Sequence, residues 1–279
     1  MSFEEVEKRQ VGDIKLIVSG LPTPAIVPFC DEHCSRLAYY FEKGIPMVSL
    51  AKGIDTESLK LPDELYEDFF ADYKDQFTYL SGPSFAKEIV DQQITLVSLG
   101  GRSRKVLLDV ASQLQTDYFK ALPTYDTKGL LLGGSLKNIL AIAGGIIEGL
   151  GYNHNTRAAM ITRGIVEMLR FGRVFNARPE TFYGLSGMGD LILTTTGDLS
   201  RNKTFGLQIA QGRKPEEIIR STKSVVEGYK TTKAAYLLAQ KYEIRARLFG
   251  GLYHVLYDGA DPKSVIQEMM RVPAKFEDE

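Results

Sequence analysis

Two polar side chains interrupt an otherwise apolar segment, GGSLKNILAIAGGIIEGLG, at residues 133–151: these are Lys137 and Asn138. On a helix, Lys137 would share its face with small residues only, namely Gly133, Gly134, Ala141 and Gly144. Burial there would lower the pKa of the amine, because the charged form loses its solvation. A lysine that is neutral near physiological pH can act as a general base. The alternative is a structural lysine that reaches solvent from the helix end, and this segment alone favours neither.

A carboxylate with two interpretations lies in GLSGMGDLILTTTG, where Asp190 separates glycine-rich backbone from an apolar run. An aspartate before a helix is commonly an N-cap. The same position would also suit a polar group that points into a cleft. The segment by itself leaves both open.

The segment DLSRNKTFGLQIAQG predicts a helix that has Ser200 as its N-cap and Gly212 just beyond its end. Its first turn carries Arg201 and Asn202. Free backbone N–H groups, the helix dipole and a guanidinium together favour binding of a phosphate or a carboxylate. For an isolated SRN sequence, an ordinary exposed arginine is the better interpretation.

Two further polar motifs follow predicted strands. Gly82 and Ser84 lie in LSGPSF, and Lys52 ends SLAKG. Open α/β sheets bind ligands at the carboxyl ends of their strands, so these motifs and Lys137 could meet in one pocket. From sequence alone, Ser84 is better explained as the cap of the helix that follows.

The elements that would position these groups fall into two parts. Short apolar runs predict strands near 13–21, 45–53, 94–101 and 116–122, and a strand that runs into a turn within 77–85. Helical segments are predicted at 56–70, 87–90 and 104–115. We expect an α/β fold, a partial Rossmann-like doubly wound parallel sheet, followed by an all-α C-terminal domain. The predicted boundary separates a dinucleotide-binding domain at 1–122 from a helical substrate-binding and catalytic domain at 123–279.

The second part is dominated by helical periodicity. Helices are predicted at 130–149, 156–171, 179–185, 200–211, 215–222, 229–242, 249–257 and 262–270. The last has the clearest start, with Asp261 as N-cap and Pro262 in the first helical position.

Composition limits the class of protein. Hydrophobic residues make up 44% and charged residues 25% of the 279 residues, as in a globular protein, and a net charge of -1 argues against nucleic acid as a partner. Lys137, Glu148 and several glycines break the longest apolar run, so we expect no membrane span. The charged start lacks an apolar signal core, which favours a cytoplasmic enzyme. Cys30 and Cys34 are interpreted as two thiols on one helix face, not as metal ligands.

Taken together, several segments resemble the NAD(P)-dependent glycerol-3-phosphate dehydrogenases. The segments occur in the family's order: LAKGI, LSGPSFAKE, LKNILAIAGGIIEGLG, TRAAMITRG, GLSGMGDLILTTTGDLSRNKTFG and VVEGYKTTKA. The resemblance implies hydride exchange between NAD or NADP and the pair glycerol 3-phosphate and dihydroxyacetone phosphate. It also implies a place in the synthesis of phospholipid precursors.

The resemblance assigns roles around the reacting centre. Lys137 corresponds to the catalytic base, and Asp190 to the acidic residue that would hold its amine. Lys52 corresponds to a residue that contacts both cofactor and substrate. Gly82 and Ser84 correspond to substrate contacts.

The resemblance assigns the remaining contacts to phosphate and cofactor. The phosphate-binding turn corresponds to Ser200, Arg201 and Asn202. The cofactor contacts correspond to Ala86, Arg201, Val225 and Glu227, in addition to Lys52.

One feature of the family is missing from this sequence. No glycine-rich turn of the G-x-G-x-x-G type follows any predicted strand, so the segment that holds the pyrophosphate is expected to be absent. The strand at 13–21 would then be an open sheet edge. We expect weak cofactor binding or none, and a micromolar dissociation constant by calorimetry would contradict this. The choice between NAD and NADP cannot be read without that segment.

Two other functions stay open at this point. A β-hydroxyacid dehydrogenase also pairs a helical lysine with an asparagine, although the LSRN turn favours a phosphorylated substrate. A catalytically inactive, truncated relative could persist as a helical association module. The large helical part is compatible with a homodimer.

Overall fold

The computed structural model describes residues 14–222, 226–273 and 276, and its centre is a five-stranded sheet. The strands follow one another in chain order: β1 (Ile17–Ser19), β2 (Met47–Ser49), β3 (Phe77–Ser81), β4 (Thr95–Gly101) and β5 (Phe119–Thr124). β1, β2 and β3 are parallel, as are β4 and β5. The α/β class is therefore confirmed.

The expectation of a wholly parallel sheet is wrong at one position, because β4 runs antiparallel to β3. The chain between these strands contains only the short helix α3 (Ala86–Val90). A parallel crossover needs a longer connection, usually a full helix packed on the sheet. With so short a helix, the chain turns back beside β3.

Helices cover both faces of the sheet. The first part contains α1 (Ile26–Glu42), α2 (Pro62–Phe70) and α4 (Arg104–Leu114) in addition to α3. Leu107 and Val110 of α4 pack on Val48, Leu80 and Val97 on one face. On the other face, the apolar side chains of α1 and α2 join the main hydrophobic core. The carboxyl ends of β2 and β3 lie next to each other because these two strands pair in parallel.

Within the described residues, β1 pairs with β2 alone and forms an edge of the sheet. Val18 in the middle of β1 is 56% exposed. This agrees with the open edge expected for the strand at 13–21, of which residue 13 lies outside the described residues.

The rest of the described chain is helical, as predicted. Its helices are α5 (Thr127–Gly149), α6 (His154–Val174), α7 (Pro179–Tyr183), α8 (Asp190–Thr196), α9 (Arg201–Ala210), α10 (Pro215–Ser221), α11 (Glu227–Lys241), α12 (Arg247–Tyr257) and α13 (Pro262–Arg271). A single π-helical turn, Leu185–Gly189, leads into α8. Sequence periodicity did not predict α8. The division of the chain at 122/123 stays a prediction, since one hydrophobic core includes side chains from both parts.

Helix α5 runs through the centre of the helical part and is almost entirely buried. Two glycines bring α9 into backbone contact with it: a Cβ added at Gly145 would collide with the carbonyl of Lys203, and one added at Gly206 with the carbonyl of Ile142. Larger residues at these positions would force the helices apart. The two helix axes are therefore held closely together.

By length and composition, α5 could cross a membrane, with a mean hydropathy of 1.7 in its most apolar window. Lys137 and the glycines therefore do not exclude such a span, contrary to the sequence argument. Burial excludes a membrane span, because the most apolar stretch of α5 lies entirely inside the protein. It is the only such helix in the part of the chain that the structure describes.

Candidate active site

Lys137 and Asp190 meet as a buried ion pair. Nζ of Lys137 donates to Oδ1 of Asp190 at 2.8 Å and to Oγ1 of Thr194 at 2.9 Å. Lys137 is 7% exposed and Asp190 2% exposed. The alternative of a lysine that reaches solvent is therefore wrong. Asp190 is the first residue of α8 rather than its cap, and its carboxylate points into the site.

Lys52 binds the other oxygen of the same carboxylate. Its Nζ donates to Oδ2 of Asp190 at 3.0 Å and to the carbonyl of Gly82 at 3.3 Å. The side chain of Lys52 is 18% exposed, so this ammonium keeps some access to solvent. One carboxylate thus lies between two lysine amines, and the three side chains carry a net positive charge when both amines are protonated.

The fold explains why these groups meet. Lys52 follows β2 and Gly82 follows β3, so the parallel strands deliver them to the same edge of the sheet. Gly82 has φ +146°, in a region that favours glycine. On the helical side, a Cβ added at Gly133 would lie 2.7 Å from the carbonyl oxygen of Ser186. Glycine at 133 therefore lets the π-helical turn approach α5 one turn before Lys137.

The charges in the site shift one another's pKa values. Burial lowers the pKa of Lys137, the Asp190 carboxylate opposes this, and the Lys52 ammonium adds to it. For Asp190, burial would raise the pKa, but Lys52 and Lys137 together hold it below its usual value. Asp190 therefore stays ionised while the amine of Lys137 loses its proton more easily than an ordinary lysine.

A second polar network surrounds Asn138, the other residue that interrupts the apolar segment. Its Oδ1 accepts a hydrogen bond from Nδ2 of Asn202 at 2.9 Å, and its Nδ2 donates to Oε2 of Glu227 at 3.4 Å. Oδ1 of Asn202 accepts from the backbone N–H of Gly228 at 3.0 Å. Burial raises the pKa of Glu227, opposed by the nearby positive side chains. This network joins α5, α9 and the start of α11.

The start of α9 has the predicted form. Ser200 is its N-cap and accepts a hydrogen bond from the N–H of Lys203 at 3.2 Å. Arg201 is exposed and lines a cleft of about 310 Å³ between α9 and α10, whose lining does not include the two lysines or Asp190. Asn202 is buried in the network around Asn138.

The remaining candidates lie around Gly82 or beyond the described residues. The expected capping role of Ser84 is wrong: α3 begins at Ala86 without a side-chain cap, and Oγ of Ser84 donates to the carbonyl of Gly82 at 2.9 Å. Ala86 is exposed. Val225 lies outside the described residues.

Sequence reasoning missed Thr194. Its hydroxyl donates to the backbone carbonyl of Asp190, so its oxygen can only accept from Lys137. The signal was available, since Asp190 and Thr194 are four residues apart and would share a helix face. It went unused because a helix after Asp190 was considered only for its cap and was not among the helices predicted from periodicity.

Comparisons with known proteins agree with this architecture. A family model described as NAD-dependent glycerol-3-phosphate dehydrogenase N-terminus matches residues 5–107, and the corresponding C-terminus model matches residues 126–267. The glycerol-3-phosphate dehydrogenase [NAD(P)+] of Solidesulfovibrio magneticus is 41% identical over 242 residues, which cover 87% of this chain and 73% of that protein. The protein of the same description from Leptospira biflexa is 40% identical over 268 residues, 96% of this chain and 79% of the relative.

Solved structures give the same result. The crystal structure of glycerol-3-phosphate dehydrogenase from Coxiella burnetii superimposes with a TM-score of 0.82 at 32% identity, covering 92% of this chain and 76% of the other. The yeast glycerol-3-phosphate dehydrogenase, at 23% identity and a TM-score of 0.77, shares the fold.

Proposed function

The chain belongs to the NAD-dependent glycerol-3-phosphate dehydrogenase family, and we propose that Lys137, held by Asp190 and Thr194, is the proton acceptor of the family reaction. That reaction interconverts sn-glycerol 3-phosphate and dihydroxyacetone phosphate with NAD or NADP, and the chain is an oxidoreductase of this kind. The curated relatives carry this description, which favours it over the β-hydroxyacid alternative. An active enzyme is likewise favoured over an inactive association module.

The geometry around Nζ carries the proposal. A neutral amine has two N–H bonds and one lone pair. Asp190 Oδ1 and Thr194 Oγ1 accept two hydrogen bonds from Nζ, which leaves the lone pair for a substrate hydroxyl. As the alcohol becomes a ketone, Lys137 takes the hydroxyl proton. In the reverse direction its ammonium returns a proton to the carbonyl oxygen.

Lys52 and Asp190 would prepare this step. Asp190 fixes the direction of Nζ through one oxygen and remains ionised because its other oxygen binds Lys52. The exposed part of Lys52 can contact the oxygen atoms of the substrate. Gly82 and Ser84 would add contacts at the same edge of the sheet.

The substrate's phosphate would bind at the start of α9. The backbone N–H groups of the first turn and the guanidinium of Arg201 attract a dianion, while Ser200 and Asn202 fix the shape of that turn. Asn138 places this turn at a fixed position relative to α5. A phosphate and a neighbouring hydroxyl could then reach α9 and Lys137 together.

The residues present fit the nicotinamide end of the cofactor better than its pyrophosphate. Lys52, Ala86, Arg201 and Glu227 would hold NAD or NADP, whose nicotinamide supplies the hydride acceptor or donor. After β1, Gly20 is the only glycine of the turn. A turn with a single glycine does not match the G-x-G-x-x-G pattern, and weak cofactor binding stays a prediction.

We also propose a cytoplasmic location, a supply of phospholipid precursors, and the division into a dinucleotide-binding part and a helical substrate-binding part. A homodimer remains a proposal that gel filtration with light scattering would test.

The proposed base is tested by Lys137→Ala with chemical rescue. Loss of a general base should lower kcat by about 10²- to 10⁴-fold. Added primary amines should restore part of the rate, and more basic amines should restore more of it. Lys203→Ala is the matched control, because Lys203 is also buried and ion-paired but binds Glu148 and Asp198. Its turnover should not respond to added amines.

Unchanged turnover in Lys137→Ala would contradict the proposal. So would a higher KM for glycerol 3-phosphate with no loss of kcat, since that would make Lys137 a binding residue only.

A further inference from the structure

Asp126 is a buried carboxylate that joins two separate segments. It is 7% exposed and precedes α5 as its N-cap, where Oδ1 accepts a hydrogen bond from the N–H of Gly129 at 3.0 Å. Its other oxygen, Oδ2, accepts from the N–H of Arg178 at 2.9 Å and from Oγ1 of Thr181 at 2.6 Å. Each carboxylate oxygen of Asp126 therefore accepts from a different segment: Oδ1 from the start of α5 and Oδ2 from the start of α7.

Each segment leads to one member of the proposed catalytic pair. α5 carries Lys137, and α7 continues through the π-helical turn into α8, which begins with Asp190. The two segments meet again where Gly133 lies against the carbonyl of Ser186. The carboxylate of Asp126 and this backbone contact therefore fix one segment against the other at two points.

We propose that Asp126 is a positioning residue, whose carboxylate holds the helix of the base and the segment of its acidic partner in register. This rests on the proposed function of Lys137. Asp126 does not touch the reacting atoms and acts through the placement of Lys137 relative to Asp190. Misplacement of a catalytic group by about 1 Å can cost about 10²-fold in rate.

Asp126→Asn separates the two roles of the carboxylate, the cap on α5 and the link to α7, which Asp126→Ala would remove together. In Asp126→Asn the amide oxygen can still accept from Gly129, because asparagine is as good an N-cap as aspartate. The amide NH₂ would then face the N–H of Arg178, and two donors cannot pair. The cap on α5 survives, the bond from the N–H of Arg178 is lost, and only the bond to Thr181 can persist, with the amide NH₂ donating to its hydroxyl oxygen.

The experiment measures kcat, KM for glycerol 3-phosphate and thermal midpoint in Asp126→Asn and in the milder Thr181→Val. We expect Asp126→Asn to lower kcat by about 10- to 100-fold. KM should change little, because the proposed phosphate site on α9 does not contact Asp126. Thr181→Val, which removes one of the two links, should lower kcat in the same way but by less.

The matched control is Glu167→Gln. Glu167 is another buried carboxylate that caps a helix, accepting from the N–H groups of Leu248 and Phe249 at 2.8 and 3.1 Å, but α12 carries no proposed catalytic residue. Glu167→Gln should lower the thermal midpoint and leave kcat unchanged.

Unchanged kcat in both Asp126→Asn and Thr181→Val, with stability lost as in Glu167→Gln, would show that Asp126 is only a structural cap and overturn the inference. A fall of kcat in Glu167→Gln as large as that in Asp126→Asn would also overturn the inference. These results differ from a failure of the proposed function, which would appear as full turnover in Lys137→Ala.

Discussion

Replacing Asp190 with asparagine removes the only negative charge that contacts both Lys137 and Lys52 in the described structure. The substitution keeps the size of the side chain and one oxygen acceptor. It leaves a buried ammonium without a counter-charge, together with one that is partly exposed. We expect the free energy of unfolding, its pH dependence and the pH dependence of kcat all to change.

The expected loss of stability follows from burial. Removing one partner of a buried ion pair costs about 3–5 kcal/mol. The lower end applies here, because Lys52 can recover solvation and the asparagine oxygen can accept one hydrogen bond. A loss of about 3 kcal/mol corresponds to a fall in thermal midpoint of about 6 to 12 °C for a chain of this size.

The loss should depend on pH in a defined direction. Asp190 raises the pKa of Lys137, so that pKa falls further in the variant. Above the lowered value the folded variant binds fewer protons than the unfolded chain, and its stability rises with pH until the usual lysine pKa is reached. Asp190 itself has a lowered pKa in the native protein, and its stabilising effect disappears as the pH falls through that value. The difference between the two proteins should therefore be largest at pH values above the usual carboxyl pKa and below the lowered pKa of Lys137 in the variant.

Urea unfolding at a series of pH values measures this difference, and the pH profile of glycerol 3-phosphate oxidation supplies a second readout. The acid limb of kcat should move to lower pH in Asp190→Asn while its plateau falls, because the amine is no longer oriented. The reasoning is refuted if the stability difference is the same at every pH, or if the acid limb moves to higher pH.

Three further predictions follow from neighbouring contacts. Lys52→Met removes a cation that lowers the pKa of Lys137, so the acid limb should move to higher pH, opposite to Asp190→Asn; an unmoved limb would contradict this. Gly133→Ala should push the π-helical turn away and lower kcat by about tenfold or more in steady-state assays, whereas unchanged kcat would show that the turn can yield. Gly206→Ala should cost about 1–3 kcal/mol in urea unfolding, since its Cβ meets backbone. Its control, Gly250→Ala in α12, meets no atom within 4 Å and should gain up to about 1 kcal/mol.

Much of the candidate site could be predicted from local sequence. Lys137 stood out because a charged side chain at the head of a buried helix needs a partner, and Asp190 is that partner. Ser200 and Asp261 followed from the chemistry of N-caps, and both accept the expected backbone hydrogen bonds. The two caps depend on residues close together in the chain, whereas the role of Asp190 followed from the family resemblance.

Other features depend on tertiary contacts. The reversal of β4 is set by how the short connection after β3 packs, which apolar periodicity does not encode. α8 contains three consecutive threonines, which are poor helix formers, and it is stabilised by burial and by hydroxyl bonds to the preceding turn. The two links of Asp126 could not be recognised until these segments were placed side by side.

The close approach of α5 and α9 at Gly145 and Gly206 has a consequence for substrate choice. Backbone atoms set the spacing between α5, which carries the proposed proton acceptor, and the backbone N–H groups of the proposed phosphate site on α9. Rotation of the exposed Arg201 side chain does not move those N–H groups for a homologous alcohol with an extra methylene before its phosphate. We expect such a compound to seat either its anionic end or its hydroxyl, but not both.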